Sequence, residues 1–225
     1  RIIEPLKDRN FLYFLFAVGI SLYGTNLMSF LPIFLKEKIG FFPENVAFLD
    51  TASILGCVLT GFIWGYIGDK YGGRPTIILS LSSYSIVPFL WFILPKDVIS
   101  FKLAFFLYFL SGATILGRSI GDSRFLYSKI LSNVNVIYYT SIFYAWIGIF
   151  QGFSPIFAGY LIEKFDNSKI ILLGRNLNIY NLIFLFNFVF QVLSIIIYRK
   201  VKPDKRMKTR FLILKIGRYL FDWQR

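Results

Sequence analysis

The chain has 225 residues, is 56% apolar and 20% aromatic, carries only 16% charged residues, and has a mean hydropathy of +0.62. It contains no histidine and a single cysteine, Cys57, which excludes Cys/His zinc sites, a Ser-His-Asp triad and a disulfide framework. Soluble domains hold roughly a quarter charged residues. The formal net charge of +13 therefore does not imply nucleic acid, which needs a water-facing basic surface.

A bilayer core about 30 Å thick takes roughly 20 apolar residues as a helix. Six such stretches follow one another, at about 11–35, 46–67, 76–94, 101–121, 136–162 and 177–198. Polar links such as "KEKIGFFPEN", "PKDVIS" and "EKFDNSKIILLGRN" separate them. A buried core helix could explain one apolar run, but not six in succession, so the expected fold is an all-α membrane bundle of six transmembrane helices.

Lysine and arginine give the direction. With the spans alternating, 18 of these residues fall on the side of the two termini and 7 on the other. Cytoplasmic loops hold the excess, so both termini are expected in the cytoplasm. Ten of the 25 follow Tyr198. That places a basic cytoplasmic tail, 201–225, against anionic lipid head groups. Its second half mixes Phe211, Leu212, Leu214, Ile216, Tyr219, Leu220 and Trp223 with Lys215 and Arg218, a composition for a helix lying in the interface or for a disordered basic tail. The chain begins with Arg1 and is read as a piece of a longer polypeptide.

Between the second and third spans stands "GYIGDKYGGRP", with Gly65, Asp69, Lys70, Gly72 and Arg74 at fixed spacing. Gly65 with Gly61 offers a face for close helix approach. Gly72 and Gly73 allow a tight turn, including a left-handed one. Asp69 is placed to accept hydrogen bonds from a helix N-terminus, where the macrodipole favours a carboxylate. Lys70 and Arg74 hold the loop inside.

This stretch resembles the signature loop of the major facilitator superfamily (MFS) of secondary transporters, G-x-x-x-D-[RK]-x-G-x-[RK]-[RK]. It departs at the last basic place, which is Pro75 here. The resemblance implies one six-helix half of such a transporter, in which the motif joins the second and third helices. It also implies that Asp69 braces a helix of the opposite half when the cytoplasmic gate is shut. That half would be absent from this chain.

The motif has a weaker copy. "GYIGDKYGG" at 65–73 aligns with "GYLIEKFDN" at 159–167, pairing Gly65 with Gly159, Asp69 with Glu163 and Lys70 with Lys164 at a constant offset. Three spans apart, the copies face opposite sides of the membrane, as two inverted three-helix repeats require. "PLKDRNFLYFL", "RPTIILSLSSYSIVPFLWF" and "GFSPIFAGYLI" resemble segments of the family's second half, so the C-terminal half is favoured and the N-terminal half is the runner-up.

In the family's architecture the first, second, fourth and fifth helices line a central cavity. Polar residues there are Tyr23, Thr25, Asn26, Thr114, Tyr144, Trp146 and Gln151. Tyr23, Asn26 and Gln151 are the candidate cavity lining, with Asn26 and Gln151 the preferred pair because an intramembrane amide needs a partner. Arg118 and Asp122 form a candidate charge pair near the end of the fourth span, either an ordinary i, i+4 pair at the interface or a proton-coupling element. Asp50 reads as a solvated acid at a helix start. Gly148, Gly152, Pro155 and Gly159 read as a close-packing face with a kink.

The expected function is transport of a small solute by alternating access, in a bacterial or archaeal plasma (inner) membrane. The partners are membrane lipid, the missing half and a small-molecule substrate. An ion or solute gradient is the expected power source and not ATP, since no G-x-x-x-x-G-K-[ST] loop is present to bind nucleotide. Neither a cofactor, a metal nor nucleic acid is expected, nor an enzyme activity, since the spans offer no His, no metal cluster and no paired catalytic carboxylates. The alternative is a non-transporting six-span scaffold or a truncated remnant. Sparse cavity charge favours a neutral or amphipathic solute over a multiply charged one.

Overall fold

The structure is a computed structural model and describes residues 4–127, 136–165, 170–172 and 175–204. Its six long helices are α1 (Arg9–Ile39), α2 (Pro43–Tyr71), α3 (Gly73–Ile93), α4 (Phe101–Phe125), α5 (Val136–Phe165) and α6 (Ile179–Tyr198). All six are long and apolar enough to cross a membrane. A short antiparallel strand pair, β1 (Ile170–Leu172) and β2 (Arg175–Leu177), fills the link from α5 to α6. The expected interfacial helix lies, from Lys205 onward, outside the described residues.

Most helices run beyond the stretches expected from hydropathy. α2 continues through Asp69 and Lys70 to Tyr71, and α4 continues through Arg124. Helix formation needs only a satisfied backbone, so it does not stop where the apolar run does. Starts are set by local chemistry: Asp8 caps α1 by accepting from the amides of Asn10 and Phe11, Ser100 caps α4, and Asn178 with Asn181 forms a capping box on α6.

Prolines interrupt three helices. α1 tightens into a 3-10 turn at Met28–Phe30 just before Pro32, α3 turns at Ser85 just before Pro88, and Pro155 sits inside α5. Proline has no N–H for the carbonyl four residues back, which explains the breaks in α1 and α3.

Packing is organised around α1 and α4. α4 lies against α2 and α3, α1 lies against α5 and α6, and α3 and α6 lie against each other. Two large apolar cores result, beside a small cluster of Trp64, Ile67 and Tyr71. One gathers Leu27, Phe34, Leu49, Trp91, Leu107 and Phe184; the other gathers Phe11, Phe14, Ile77, Phe125, Phe143 and Tyr198 near the opposite end. Glycines set the closest crossing. A methyl at Gly56 would strike the Phe109 carbonyl of α4, and one at Gly112 would strike the Ser53 carbonyl of α2. Gly61 and Gly65 take no part in that crossing: among the described residues a methyl at Gly61 meets Leu116 at 3.6 Å and one at Gly65 meets nothing within 4 Å.

Candidate functional site

The motif expected to be a loop is almost entirely helical. α2 ends at Tyr71, α3 begins at Gly73, and Gly72 alone joins them with φ 96° and ψ 169°. That backbone is open essentially to glycine only. The signature therefore consists of the last turn of one helix, a one-residue turn, and the first turn of the next.

Asp69 stands in the last turn of α2. Its carboxylate pairs with the Arg124 guanidinium at the end of α4. The carboxylate at the α3 N-terminus is that of Asp204, beyond the end of α6. Gly73 donates its amide to Asp204 Oδ2 at 2.6 Å and Arg74 donates to Oδ1 at 3.4 Å. Fold topology brings position 204 to position 73, so that a carboxylate occupies the positive end of the α3 dipole. Arg74 completes a clasp, donating from Nε to the Tyr198 carbonyl at 3.1 Å and from Nη2 to that of Arg199 at 2.6 Å. These are last-turn carbonyls of α6, where a cation suits the dipole. Lys202 then donates its amide to Asn10 Oδ1 at 2.7 Å, tying the same segment to the start of α1.

Lys70 and Lys164 occupy matching surroundings. Lys70 Nζ donates to the Tyr66 hydroxyl at 2.5 Å and lies over the Tyr66 and Tyr71 rings. Lys164 Nζ donates to the Tyr160 hydroxyl at 3.2 Å and lies over the Tyr160 and Phe165 rings. α2 and α5 end on the corresponding residues, Tyr71 and Phe165. The last two places of the second copy, Asp166 and Asn167, lie outside the described residues.

Inside the bundle, a chain of polar side chains runs between the two apolar cores. The Asn187 amide donates to the Tyr84 hydroxyl at 3.4 Å, and Gln191 Nε2 donates to Asn187 Oδ1 at 2.8 Å. Ser21 Oγ donates to Gln191 Oε1 at 2.9 Å and accepts from Arg118 Nη1 at 3.0 Å. Arg118 Nε lies 3.8 Å from Asp122 Oδ2, and the Tyr198 hydroxyl donates to Asp122 Oδ1 at 2.6 Å. Every member is buried. α1, α3, α4 and α6 all contribute.

Arg118 and Asp122 were placed near the interface as one of two readings. They are 8% and 7% exposed, and both are held from other helices. Gly24 makes room for the amides: a methyl there would stand 2.9 Å from Gln191 Nε2 and 2.8 Å from Phe190 Cβ.

The preferred cavity residues fare differently. Asn26 donates to the Leu22 carbonyl of its own helix at 2.9 Å, and Gln151 is exposed on α5. Among the described residues no hydrogen bond joins them. Tyr23 is enclosed by the rings of Phe150, Phe157 and Phe190. Thr114 bonds back to Leu110, while Trp146 donates to the Leu15 carbonyl at 2.9 Å. Tyr144 is exposed. Asp50 stands seven residues into α2, not at its start. The residues that carry the interior chain, Ser21, Tyr84, Asn187, Gln191 and Tyr198, were missed. The one available signal was two amides four residues apart in the otherwise apolar "NLIFLFNFVFQVLSIII".

Six membrane-length helices enclosing a hydrogen-bonded polar chain define an integral membrane protein in contact with lipid. The family model described as the Major Facilitator Superfamily matches residues 10–218. The chain belongs to that superfamily, a family of membrane transporters, and its function is membrane transport of small solutes.

Proposed function

We propose that the chain is one six-helix half of an MFS secondary transporter, the C-terminal half by the segments quoted above, and that it moves its solute by alternating access against a second half docked on α2 and α5. The carrying observation is the bareness of those two helices. Only 22% of the most apolar stretch of α2 and 11% of that of α5 is buried, against 44–56% for the other four. Each also bears glycines that nothing among the described residues approaches within 4 Å, Gly65 on α2 and Gly148 and Gly152 on α5. Such glycines admit another helix backbone. The packing supports two inverted three-helix repeats: exchanging α1, α2, α3 for α4, α5, α6 turns the α4 contacts with α2 and α3 into the α1 contacts with α5 and α6. The matched lysine sites at Tyr66 and Tyr160 support it as well.

In this reading the Gly72 end is cytoplasmic in an inner membrane. Asp69, held by Arg124, is the movable joint of the gate, since its side chain is 75% exposed and can exchange Arg124 for a helix end of the second half. The test compares solute counterflow in proteoliposomes holding the full-length protein with that of its Asp69→Asn variant. Counterflow lowered severalfold with normal membrane insertion is expected. Wild-type counterflow in the variant removes the gating role.

A further inference from the structure

A cavity of about 310 Å³ lies between α1, α2, α3 and α4, at the end of the bundle away from Gly72. It opens where the two proline-interrupted helices meet. Pro32 and Pro88 withhold the N–H groups due to the carbonyls of Met28 and Tyr84, and both Met28 and Tyr84 line the cavity. Irregular backbone at membrane depth is tolerated where it is buried in protein or faces a cavity.

We propose that this cavity is a binding site for a small monovalent organic cation, a substituted ammonium, with Asp50 as counter-charge and Trp91, Tyr108 and Tyr84 as aromatic walls. Among the described residues, Asp50 is the one charged residue lining it. Among the described residues no ion pair engages that carboxylate, although Lys36 shares with it a second, adjoining cavity. Asp50 and Tyr108 line the same cavity. Trp91 stands edge-on to Tyr108, ring centroids 6.5 Å apart at 89°. Ring faces carry negative quadrupole charge, so a carboxylate among aromatic rings attracts a diffuse cation and repels an anion. A single acid matches a single positive charge.

The site also reaches the interior chain. The Tyr84 hydroxyl, on the cavity wall beside Thr25 and Ser111, accepts from Asn187. From Asn187 the bonds continue through Gln191 and Ser21 to Arg118 and Asp122. An occupant is therefore in hydrogen-bonded connection with the buried charge pair.

That the occupant is the transported solute rests on the transporter reading; that the cavity binds a cation does not. The test titrates the purified full-length protein with radiolabelled choline by equilibrium dialysis, beside its uncharged isostere 3,3-dimethylbutan-1-ol. Asp50→Asn, Asp50→Glu and Tyr108→Leu are run in parallel. Saturable choline binding is expected, weakened about tenfold or more in Asp50→Asn and for the isostere, and kept in Asp50→Glu. Equal binding by Asp50→Asn, equal binding of the isostere, or no saturable binding to folded wild type overturns the proposal. If Asp50→Asn fails to fold, Tyr108→Leu decides by the same criterion. Choline counterflow in proteoliposomes separates the two readings. Binding without counterflow removes transport of this ligand and leaves the site, whereas counterflow indifferent to Asp50→Asn removes the site and leaves transport.

Discussion

Arg118 of α4 donates from Nη1 to Ser21 Oγ of α1 at 3.0 Å, so a guanidinium inside the bundle is held from a neighbouring helix by a hydroxyl. Its partner acid, Asp122, is four residues on and is secured by Tyr198 of α6. At 1.5 Å of rise per residue, Arg118 lies about 10 Å and Asp122 about 5 Å from the α4 end at Phe125.

Removing one member of this pair strands the other. Arg118→Met is expected to destabilise the protein by about 3–5 kcal/mol, whereas Arg118→Met with Asp122→Leu should recover much of that loss. Thermal unfolding of the single and double variants in one detergent checks the prediction. A double variant no better than Arg118→Met would show that the residual Asp122 charge is not the cost.

Ser21 serves two neighbours at once, accepting from Arg118 and donating to Gln191. Ser21→Ala leaves both unsatisfied, at about 1–3 kcal/mol. Ser21→Ala and Gln191→Leu should be non-additive by about 0.5–3 kcal/mol. A double-mutant cycle on unfolding free energies reads this directly, and additivity within error would remove Ser21 from the chain.

At the one-residue turn, Gly72→Ala meets two obstacles. The backbone conformation disfavours any side chain by about 1–3 kcal/mol, and the methyl would stand 2.7 Å from Asp204 Oδ1. Asp204→Ala alone loses a helix cap, about 1 kcal/mol. Hydrogen exchange at the Gly73 and Arg74 amides should accelerate in both variants. Unchanged protection in Asp204→Ala would deny the cap.

Glycines of one helix are expected to differ sharply. Gly56→Val drives a side chain into the Phe109 carbonyl and should prevent monodisperse folding, while Gly65→Val enters open space and should leave the chain's own fold intact. Size-exclusion profiles of the two variants separate the cases. In the full-length protein, Gly65→Val should instead weaken association with the second half.

The six spans, the turn at Gly72 and the family were legible because each depends on local composition: about 20 apolar residues to cross hydrocarbon, and glycine where φ is positive. The interior chain was not legible. Ser21 and Gln191 are 170 residues apart, and nothing local distinguishes them from Ser82, which bonds only to its own helix at the Ile78 carbonyl. Helix ends were misjudged for a related reason, as hydropathy marks the bilayer boundary while capping and tertiary contact mark the helix boundary.

By itself, then, the sequence determined that this protein is a six-helix membrane bundle of the transporter class, since the cost of burying a backbone in lipid leaves few solutions. Only the tertiary structure decided partners. It gave Asp69 to Arg124 and the α3 N-terminus to Asp204. It placed Arg118 and Asp122 among four helices and left Asn26 bonded within its own. Carboxylates, guanidinium groups and amides accept many partners of the right chemistry, and distance in the folded chain selects among them.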